Sequence, residues 1–368
     1  MNPLLKEIRH SPVLWMLVFV PAVLVAESMA PTAHTALFIL AILAIVPLAA
    51  LLSLATESVA EKTGDAIGGL LNATLGNLTE LIIAVAALHA GEYMLVKASI
   101  AGAIVTNSLF MLGACFLLGG FRYHIQEYNH ATGRLYSALL LMATIALIAP
   151  AAVADLDLAR GDPATQKLST GLAILLIAAY GLGLLFSLKT HKELFAGEAH
   201  GEKDAAATWP IALAVGTLVG VTVLVALVSE IFVGSVQKAG ETLGLSPAFV
   251  GFIIVALVGA AAEMAVAFSA ARKNRLDLSV SIALGSASQI ALFVAPVLVL
   301  LSYLVGPKPM DLQFWPGAVT MVMIAAVTSC FITYSGRSAW FIGALLIFIY
   351  AIFAMTIYVV PPGAHAPL

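Results

Sequence analysis

The stretch GLLNATLGNLTELIIAVA, residues 69–86, places one carboxylate, that of Glu80, in the middle of an apolar segment. The nearest basic residues, Lys62 and Lys97, are 18 and 17 positions away, too far to pair with Glu80 along one helix. An unpaired carboxylate in a membrane is costly, so it is protonated, paired through tertiary contacts or bound to a cation. A glutamate held neutral by neighbouring hydroxyls is the purely structural alternative.

A second stretch, FIIVALVGAAAEMAVAFS at 252–269, has the same plan. Aligning Gly259 with Gly76 places Glu263 on Glu80 at an offset of 183. Each glutamate thus follows a glycine by four residues, and small residues there permit close helix packing and leave backbone carbonyls free to face a cavity. An ordinary small-residue helix interface is the alternative for the glycines alone, but two equivalent glutamates favour a functional site.

The segments that follow these stretches also match each other. SIAGAIVTN at 99–107 aligns with SIALGSASQ at 281–289 at an offset of 182, which places Asn107 on Gln289. Two independent matches at nearly the same offset indicate an internal duplication.

Apolar residues dominate the whole chain of 368 residues, of which 61% are hydrophobic and 10% charged, with a mean hydropathy of +1.04. A soluble domain carries about 25% charged residues, so lipid is the expected solvent for most of this surface. A membrane helix needs roughly 20 mostly apolar residues. The predicted spans are 13–29, 33–56, 68–90, 94–120, 134–153, 168–188, 207–235, 247–271, 278–305, 316–335 and 338–360.

This pattern predicts an all-α polytopic membrane protein with about 11 transmembrane helices. Residues 1–32 hold an extra first helix, 33–188 a first five-helix repeat, 189–206 a polar linker, and 207–368 a second five-helix repeat. Because five is an odd number, the two copies insert with opposite topology. Inverted repeats with functional groups near the midplane are a recurring plan of transporters.

The distribution of basic residues predicts the orientation. The side that holds the N-terminus and the 189–206 linker carries twelve of the seventeen Lys and Arg residues, and the other side carries five. By the positive-inside rule, the N-terminus and the linker are cytoplasmic and the C-terminus is outside. The sequence shows no transit peptide or long regulatory tail, so we expect a bacterial plasma membrane.

Neutral oxygen atoms accompany the two glutamates in the same spans. They belong to Asn77, Thr79, Thr106, Asn107, Ser286, Ser288 and Gln289. Hard cations such as Ca²⁺ take six to eight oxygen ligands, and two carboxylates with amide and hydroxyl oxygens suit that demand. The His and Cys clusters that would suit Zn²⁺ or Cu⁺ are missing from these spans. We therefore expect a transported metal cation and protons, membrane lipid as a partner, and no bound cofactor.

Nucleic acid is not indicated as a partner, because the net charge is −3 and the isoelectric point about 6.2. A homo-oligomer is compatible with the sequence.

The stretch ESVAEKTGDAIGGLLNATLGNLTELIIA at 57–84 resembles the first repeat motif of the Ca²⁺/H⁺ antiporter (CAX) family. GAAAE at 259–263 and GSASQIALF at 285–293 resemble its second-repeat counterparts. The resemblance covers spans two to eleven and implies ten core helices plus an additional first one. It also implies that Glu80 and Glu263 are the central carriers of cation and protons.

By match of position, the resemblance implies that Asn77, Asn107 and Gln289 are supporting ligands. Ser286, in the second of these motifs, is a further candidate. The second motif departs from the family pattern, which has asparagine after the glycine and histidine after the glutamate. Ala260 and Met264 stand there instead, which removes one ligand and one titratable group and bears on ion preference and pH dependence.

The resemblance further implies two mobile gating helices, here the second and seventh spans. Glu57 and Glu230 lie in comparable places in those spans, as vestibule acids or as solvated helix ends. The predicted function is exchange of Ca²⁺ for H⁺ by alternating access, with Glu80 and Glu263 alternately binding cation and protons.

Four other functions compete with this prediction. A Na⁺(K⁺)/H⁺ antiporter on the same fold is a close alternative, given the altered second motif. A cation channel could use the same glutamates without coupling, although two non-identical internal copies favour a carrier. A Na⁺/Ca²⁺ exchanger is disfavoured because Thr79 and Ala262 stand where its pattern has proline. An intramembrane enzyme is disfavoured because the sequence shows no Ser-His, His-Glu-x-x-His or Asp-dyad arrangement.

Overall fold

The computed structural model describes residues 3–63, 65–154, 163–191 and 209–362, and these ranges are almost entirely helical. The predicted linker at 189–206 lies outside the described residues from residue 192 onward.

We number the helices and the two short strands in chain order. They are α1 (Pro3–His10), α2 (Pro12–Met29), α3 (His34–Thr63), α4 (Asp65–Leu75), α5 (Leu78–His89), α6 (Tyr93–Tyr123), β1 (Ile125–Glu127), α7 (His130–Ala154), α8 (Ala164–Thr190), α9 (Ile211–Leu243), α10 (Pro247–Gly259), α11 (Ala261–Arg272), α12 (Leu276–Val305), α13 (Pro316–Thr333), β2 (Arg337–Ala339) and α14 (Trp340–Val359).

Nine of the described helices are long and apolar enough to cross a membrane, and the bent pairs α4–α5 and α10–α11 bring the number of spans to eleven. The predicted number of spans is therefore confirmed. Helix α6 is the most enclosed, with 89% of its apolar window buried, whereas 17% of the corresponding windows of α2 and α8 is buried. The protein thus places α6 at its centre and turns α2 and α8 towards lipid.

The second and seventh spans are longer than predicted. The apolar windows end at 56 and 235, but α3 continues to Thr63 and α9 to Leu243. Charged residues such as Glu61 and Lys62 end a hydropathy window without ending a helix, because both are good helix formers.

The two glutamate-bearing spans are broken rather than continuous. The axis bends by 42° between α4 and α5 and by 58° between α10 and α11. At the first break the backbone of Asn77 leaves helical geometry, with φ −102° and ψ 29°. A Cβ atom at Gly76 would lie 2.6 Å from the Asn72 carbonyl oxygen, so this break accepts only glycine without a shift of the backbone.

The two long helices α3 and α9 pack along each other, and the rings of Phe38 and Phe232 stack between them with centroids 5.3 Å apart. Helix α3 also packs against α10 and α11, and α9 packs against α5. Each long helix therefore contacts the broken span of the other repeat.

Glycines let the centre of the fold close tightly. A Cβ atom at Gly102 of α6 would clash with the backbone of Phe252 in α10, and one at Gly251 would lie 2.8 Å from the Leu95 carbonyl oxygen. Small residues at such crossings let backbones approach closely, as is usual in membrane helices.

The spans end at two opposite faces. On face A, defined by residues 124–129, 273–275 and 334–339, β1 pairs antiparallel with β2. On face B, defined by residues 90–92 and 306–315, the turn after α5 meets the segment after α12.

Candidate cation-binding site

The two glutamates occupy matching places in the two broken spans. Glu80 is the third residue of α5 and Glu263 the third residue of α11, so each lies in the first turn of a half-helix. The first turn of a helix carries unsatisfied backbone N–H groups and a partial positive charge, which favours an acidic side chain. The helix breaks therefore create the local environment that each carboxylate occupies.

The structure brings these two glutamates together. A Cβ atom at Gly259 would lie 3.1 Å from Oε1 of Glu80, so the Glu80 carboxylate rests against the break of the other repeat. Glu263 lies four residues after Gly259, and its carboxylate is near enough to Glu80 for their charges to interact. The absence of a side chain at Gly259 thus permits the close approach of Glu80 to this break.

A chain of hydrogen bonds joins the four neutral candidates. The Asn107 side-chain amide donates to the Ser286 hydroxyl (2.8 Å), and that hydroxyl donates to Oδ1 of Asn77 (2.8 Å). The Asn77 amide in turn donates to Oε1 of Gln289 (2.6 Å). Asn77 and Asn107 come from the first repeat and Ser286 and Gln289 from the second, so the chain crosses between repeats.

Three buried oxygen atoms of this cluster have no hydrogen-bond partner among the described residues. They are Oε1 of Glu80, Oε2 of Glu263 and Oδ1 of Asn107. Buried acceptors are normally paired, so three in one cluster require a different partner. A hard cation that prefers oxygen ligands is the chemical species that they suit.

Side chains other than carboxylates must complete such a site. Among the residues that the structure describes, no group of three or more His, Cys, Asp or Glu side chains could hold a metal ion. Two carboxylates supplemented by amide, hydroxyl and backbone oxygens is therefore the donor set that this chain offers.

The two halves of the site are not equivalent. Ala260, which corresponds to Asn77, is completely buried, and Met264 is 8% exposed, so an apolar wall replaces the polar groups of the family motif. The second repeat therefore contributes Glu263, Ser286 and Gln289, without an amide at its break.

Two of the additional hydroxyls point elsewhere. Thr106 donates to the hydroxyl of Tyr350 (3.3 Å), and Ser288 donates to the carbonyl oxygens of Leu284 (2.7 Å) and Tyr136 (3.0 Å). Both therefore serve packing between helices rather than the cluster.

The helices widen beside the site. A π-helical turn covers Thr106–Met111, and another, Ile290–Val294, begins directly after Gln289. Single π-helical turns inside α-helices are frequent at functional sites. They occur here at nearly repeat-equivalent places, one containing Asn107 and the other directly following Gln289.

Glu57 and Glu230 do not join the central cluster. Glu57 is exposed on the face-A half of α3 and accepts a long hydrogen bond from Ser53 (3.4 Å). Glu230 is exposed on α9, where it lines a cavity of about 380 Å³ together with Glu27 and His34. The two acids thus lie on different long helices, outside the site.

One contact near the site was not predicted from the sequence. The hydroxyl of Tyr180 in α8 donates to the carbonyl oxygen of Ala73 (2.7 Å), three residues before the break at Gly76. A tyrosine in an apolar span gives no signal that separates such a role from packing.

Two half-helices that meet from oppositely oriented repeats, with paired carboxylates at their tips, form the plan of a secondary transporter. The chain belongs to the family described as sodium/calcium exchanger protein, whose model matches residues 33–189 and 213–359.

Individual relatives agree with this assignment. A Ca(2+)/H(+) antiporter of Aphanothece halophytica is 40% identical, with 89% of this chain and 91% of the relative covered. The Ca(2+)/H(+) antiporter ChaA of Bacillus subtilis is 38% identical, with 87% and 91% covered. The solved structure of native YfkE is 34% identical, has a TM-score of 0.82 and covers 95% of this chain and 100% of that one. The crystal structure of the H⁺/Ca²⁺ exchanger CAX, at 16% identity and a TM-score of 0.69, shares the fold.

Proposed function

We propose that this protein is a Ca²⁺/H⁺ antiporter that works by alternating access. The observation that carries the proposal is the meeting of Glu80 and Glu263 at the two helix breaks, beside unpartnered oxygen atoms. The relatives named Ca(2+)/H(+) antiporter, at 40% and 38% identity over most of the chain, support Ca²⁺ and H⁺ as the two exchanged ions.

Competition between cation and protons follows from charge. Two carboxylates that interact at close range repel each other strongly where the surroundings exclude water. One divalent cation or two protons removes that repulsion, and the two states exclude each other. Glu80 and Glu263 therefore carry either Ca²⁺ or protons.

The neutral groups complete the coordination. Ca²⁺ takes six to eight oxygen ligands at about 2.3–2.6 Å, which two carboxylates alone do not supply. Oxygen atoms of Asn77, Asn107, Gln289 and Ser286 supplement them, because the hydrogen-bonded chain of these residues lies beside the carboxylates. Backbone oxygens freed at the breaks add to this set.

The long helices α3 and α9 act as the gate. Each contacts the broken span of the other repeat, so a movement of either changes the access to one glutamate. Glu57 and Glu230, exposed on these helices, attract cations towards the site in the two vestibules.

The coupling supplies enough energy for uphill transport. With two protons per Ca²⁺, a gradient of one pH unit contributes about 2.7 kcal/mol per cycle. That energy sustains a Ca²⁺ gradient of roughly 100-fold. Because two charges cross in each direction, the cycle is electroneutral, and we expect the rate to be insensitive to membrane potential.

Face A is the cytoplasmic face in this proposal, in a bacterial plasma membrane. The test uses a background in which Cys115 and Cys330 are replaced by alanine, with a single cysteine at Ser335 on face A or at Pro309 on face B. An impermeant thiol reagent added to intact cells labels the cysteine at 309 only. Labelling of the cysteine at 335 alone shows that face A is outside and that the proposed orientation is wrong.

Proteoliposomes test the function itself. We expect Ca²⁺ uptake to follow an imposed pH gradient and to disappear in Glu80→Gln and in Glu263→Gln, whereas the exposed Glu127→Gln retains it. Retained exchange in the double Glu80→Gln, Glu263→Gln variant refutes the proposal. Movement of Na⁺ or K⁺ alone against protons identifies a monovalent exchanger, for which Ala260 and Met264 are the distinguishing positions. Ca²⁺ flux that is indifferent to every counter-ion identifies a channel.

A further inference from the structure

The segment that follows α6 holds the end of the helix that carries Glu263. Gln126 of β1 is 2% exposed, and its side-chain amide donates to the carbonyl oxygen of Ala271 (3.1 Å) and to Oδ1 of Asn274 (2.9 Å). The last four carbonyls of a helix have no partner within the helix. A buried side chain from the other repeat therefore satisfies the end of α11.

Further donors reach the same junction on face A. Arg122 and the hydroxyl of Tyr123 both donate to the carbonyl oxygen of Arg272, at 3.3 and 3.2 Å. The backbone N–H of Asn129 donates to the carboxylate of Asp277, at the start of α12. We call the segment 122–129 latch A; within it, Glu127 pairs with Arg337 of β2 and makes none of these contacts.

The segment that follows α12 holds the junction between α5 and α6 on face B. Lys97 forms an ion pair with Asp311 (2.6 Å) and donates to the carbonyl oxygen of Gln313 (2.8 Å). The hydroxyl of Tyr93 donates to the carbonyl oxygen of Lys308 (2.5 Å) and accepts a hydrogen bond from its N–H (2.9 Å). We call the segment 305–313 latch B.

The two latches are equivalent and reciprocal. Moving latch A along the chain by the repeat offset of 182 gives residues 304–311, of which all but residue 304 lie in latch B. Latch A belongs to the first repeat and holds a hairpin of the second, whereas latch B belongs to the second repeat and holds a hairpin of the first. The hairpin under latch A is α11–α12 and the hairpin under latch B is α5–α6.

These two hairpins carry all of the candidate ligand side chains apart from Asn77. Helices α11 and α12 carry Glu263, Ser286 and Gln289, and helices α5 and α6 carry Glu80 and Asn107. Each latch thus holds the turn that joins two ligand-bearing helices, with the ligands in the first turn of α5 and α11 and in the middle of α6 and α12.

We propose that Gln126 and Lys97 are positioning residues for the cation site and act through these latches. The inference rests on the proposed function. Glu263 lies eight residues from Ala271, about 12 Å along the helix, and Asn107 lies ten residues from Lys97, about 15 Å. At these distances from the latch, a helix tilt of about 5° moves a ligand by ~1 Å. Loss of groups that orient metal ligands typically lowers metal affinity by about 10–100-fold.

Transport kinetics of two variants test the proposal. Gln126→Met and Lys97→Met keep side-chain length and remove the donors. We expect each to raise the half-saturating Ca²⁺ concentration by about tenfold, with a smaller change in the maximal rate. The control for the first is Glu127→Gln, since Glu127 is adjacent on the same strand and forms an exposed ion pair with Arg337. The control for the second is Lys167→Met, because Lys167 is an exposed lysine at the face-B end of α8.

Two further variants separate positioning from folding. Lys97→Arg keeps the ion pair and restores the wild-type half-saturating concentration. Lys97→Met leaves the Asp311 carboxylate without its cation, which could prevent folding. In that case the double variant Lys97→Met, Asp311→Asn, which removes both charges, is expected to show the same rise in the half-saturating Ca²⁺ concentration. A lower melting temperature with unchanged half-saturation in Gln126→Met and Lys97→Met overturns the proposal.

Hydrogen–deuterium exchange supplies a readout that does not depend on transport. In Gln126→Met the amides of 271–277 exchange faster while those of 89–97 do not, and in Lys97→Met the pattern is reversed. Equal exchange in all proteins shows that the latches hold nothing. If wild-type protein transports no Ca²⁺, the proposed function fails, yet this measurement still decides whether the latches exist.

Discussion

Replacing Gly259 with alanine tests whether the two helix breaks define the cation site. A Cβ atom at this position would lie 2.9 Å from Cγ, 3.1 Å from Oε1 and 3.2 Å from Cδ of Glu80. Carbon atoms pack at about 3.5–4.0 Å, so the Glu80 side chain must retreat by roughly 0.5 Å. Binding sites need their ligands within about 0.5 Å of the productive position.

The expected effect of Gly259→Ala is a loss of Ca²⁺ affinity of about tenfold, or about 1.4 kcal/mol. The stability of the fold should not fall in parallel. Alanine is favoured over glycine in a helix by up to about 1 kcal/mol, and Gly259 ends α10 without a left-handed backbone. A weaker site in an equally stable protein is therefore the signature of a displaced ligand.

The assay is Ca²⁺ uptake into proteoliposomes as a function of Ca²⁺ concentration, together with the melting temperature in detergent. The matched control is Gly171→Ala in α8, because a Cβ atom there has no neighbour within 4 Å. Unchanged half-saturation in a folded Gly259→Ala protein refutes the reasoning, since Glu80 could then move without consequence for the cation.

Three further predictions concern the groups around this contact. Ser286→Ala leaves Asn77 and Asn107 each without one partner, so we expect the free energy of unfolding to fall by about 1–3 kcal/mol, measured by thermal denaturation, with weaker Ca²⁺ binding. Gly102→Ala forces the backbones of α6 and α10 apart at Phe252, and we expect a loss of about 1–3 kcal/mol, seen as a lower melting temperature or poor recovery of folded protein. At a free Ca²⁺ concentration of about 100 times the dissociation constant, bound Ca²⁺ stabilises the protein by about 2.7 kcal/mol. We therefore expect a chelator to lower the melting temperature of the wild type and to leave that of Glu80→Gln unchanged.

The membrane spans could be predicted from sequence, and the two glutamates could be singled out as candidates, because each leaves a local signal. A run of about 20 apolar residues is sufficient to indicate a span, and Glu80 and Glu263 stand out because neither has a basic partner within reach. The duplication added a second, independent signal. The pairing of Asn107 with Ser286 is consistent with this prediction, because both lie in the segments that match between repeats.

The helix breaks and the contacts between distant segments could not be predicted in the same way. Ala260 is a good helix former, and Gly259 before it also suits ordinary close helix packing, so the sequence does not indicate the 58° bend there. The sequence groups the hydroxyls of Thr106 and Ser288 with the ligands because they are near Asn107 and Gln289 in the chain. Thr106 begins a π-helical turn, for which hydropathy gives no signal, and Ser288 donates to the carbonyl oxygens of Leu284 and Tyr136.

The type of contact differs between the hairpins that carry the candidate ligands and the helices α3 and α9 of the proposed gate. The ligand-bearing hairpins are held at opposite faces by directional contacts, such as the ion pair of Lys97 with Asp311 and the amide of Gln126 on Ala271. The contact between α3 and α9 includes the stacked rings of Phe38 and Phe232, which form no hydrogen bond to each other. Apolar surfaces can slide past each other at small cost, whereas a hydrogen bond must break before its partners separate. If α3 and α9 move as the proposed gate while both latches stay closed, the two carboxylates keep their mutual distance and only their access to water changes. Under the proposed function, that is the condition for one site to serve both faces of the membrane.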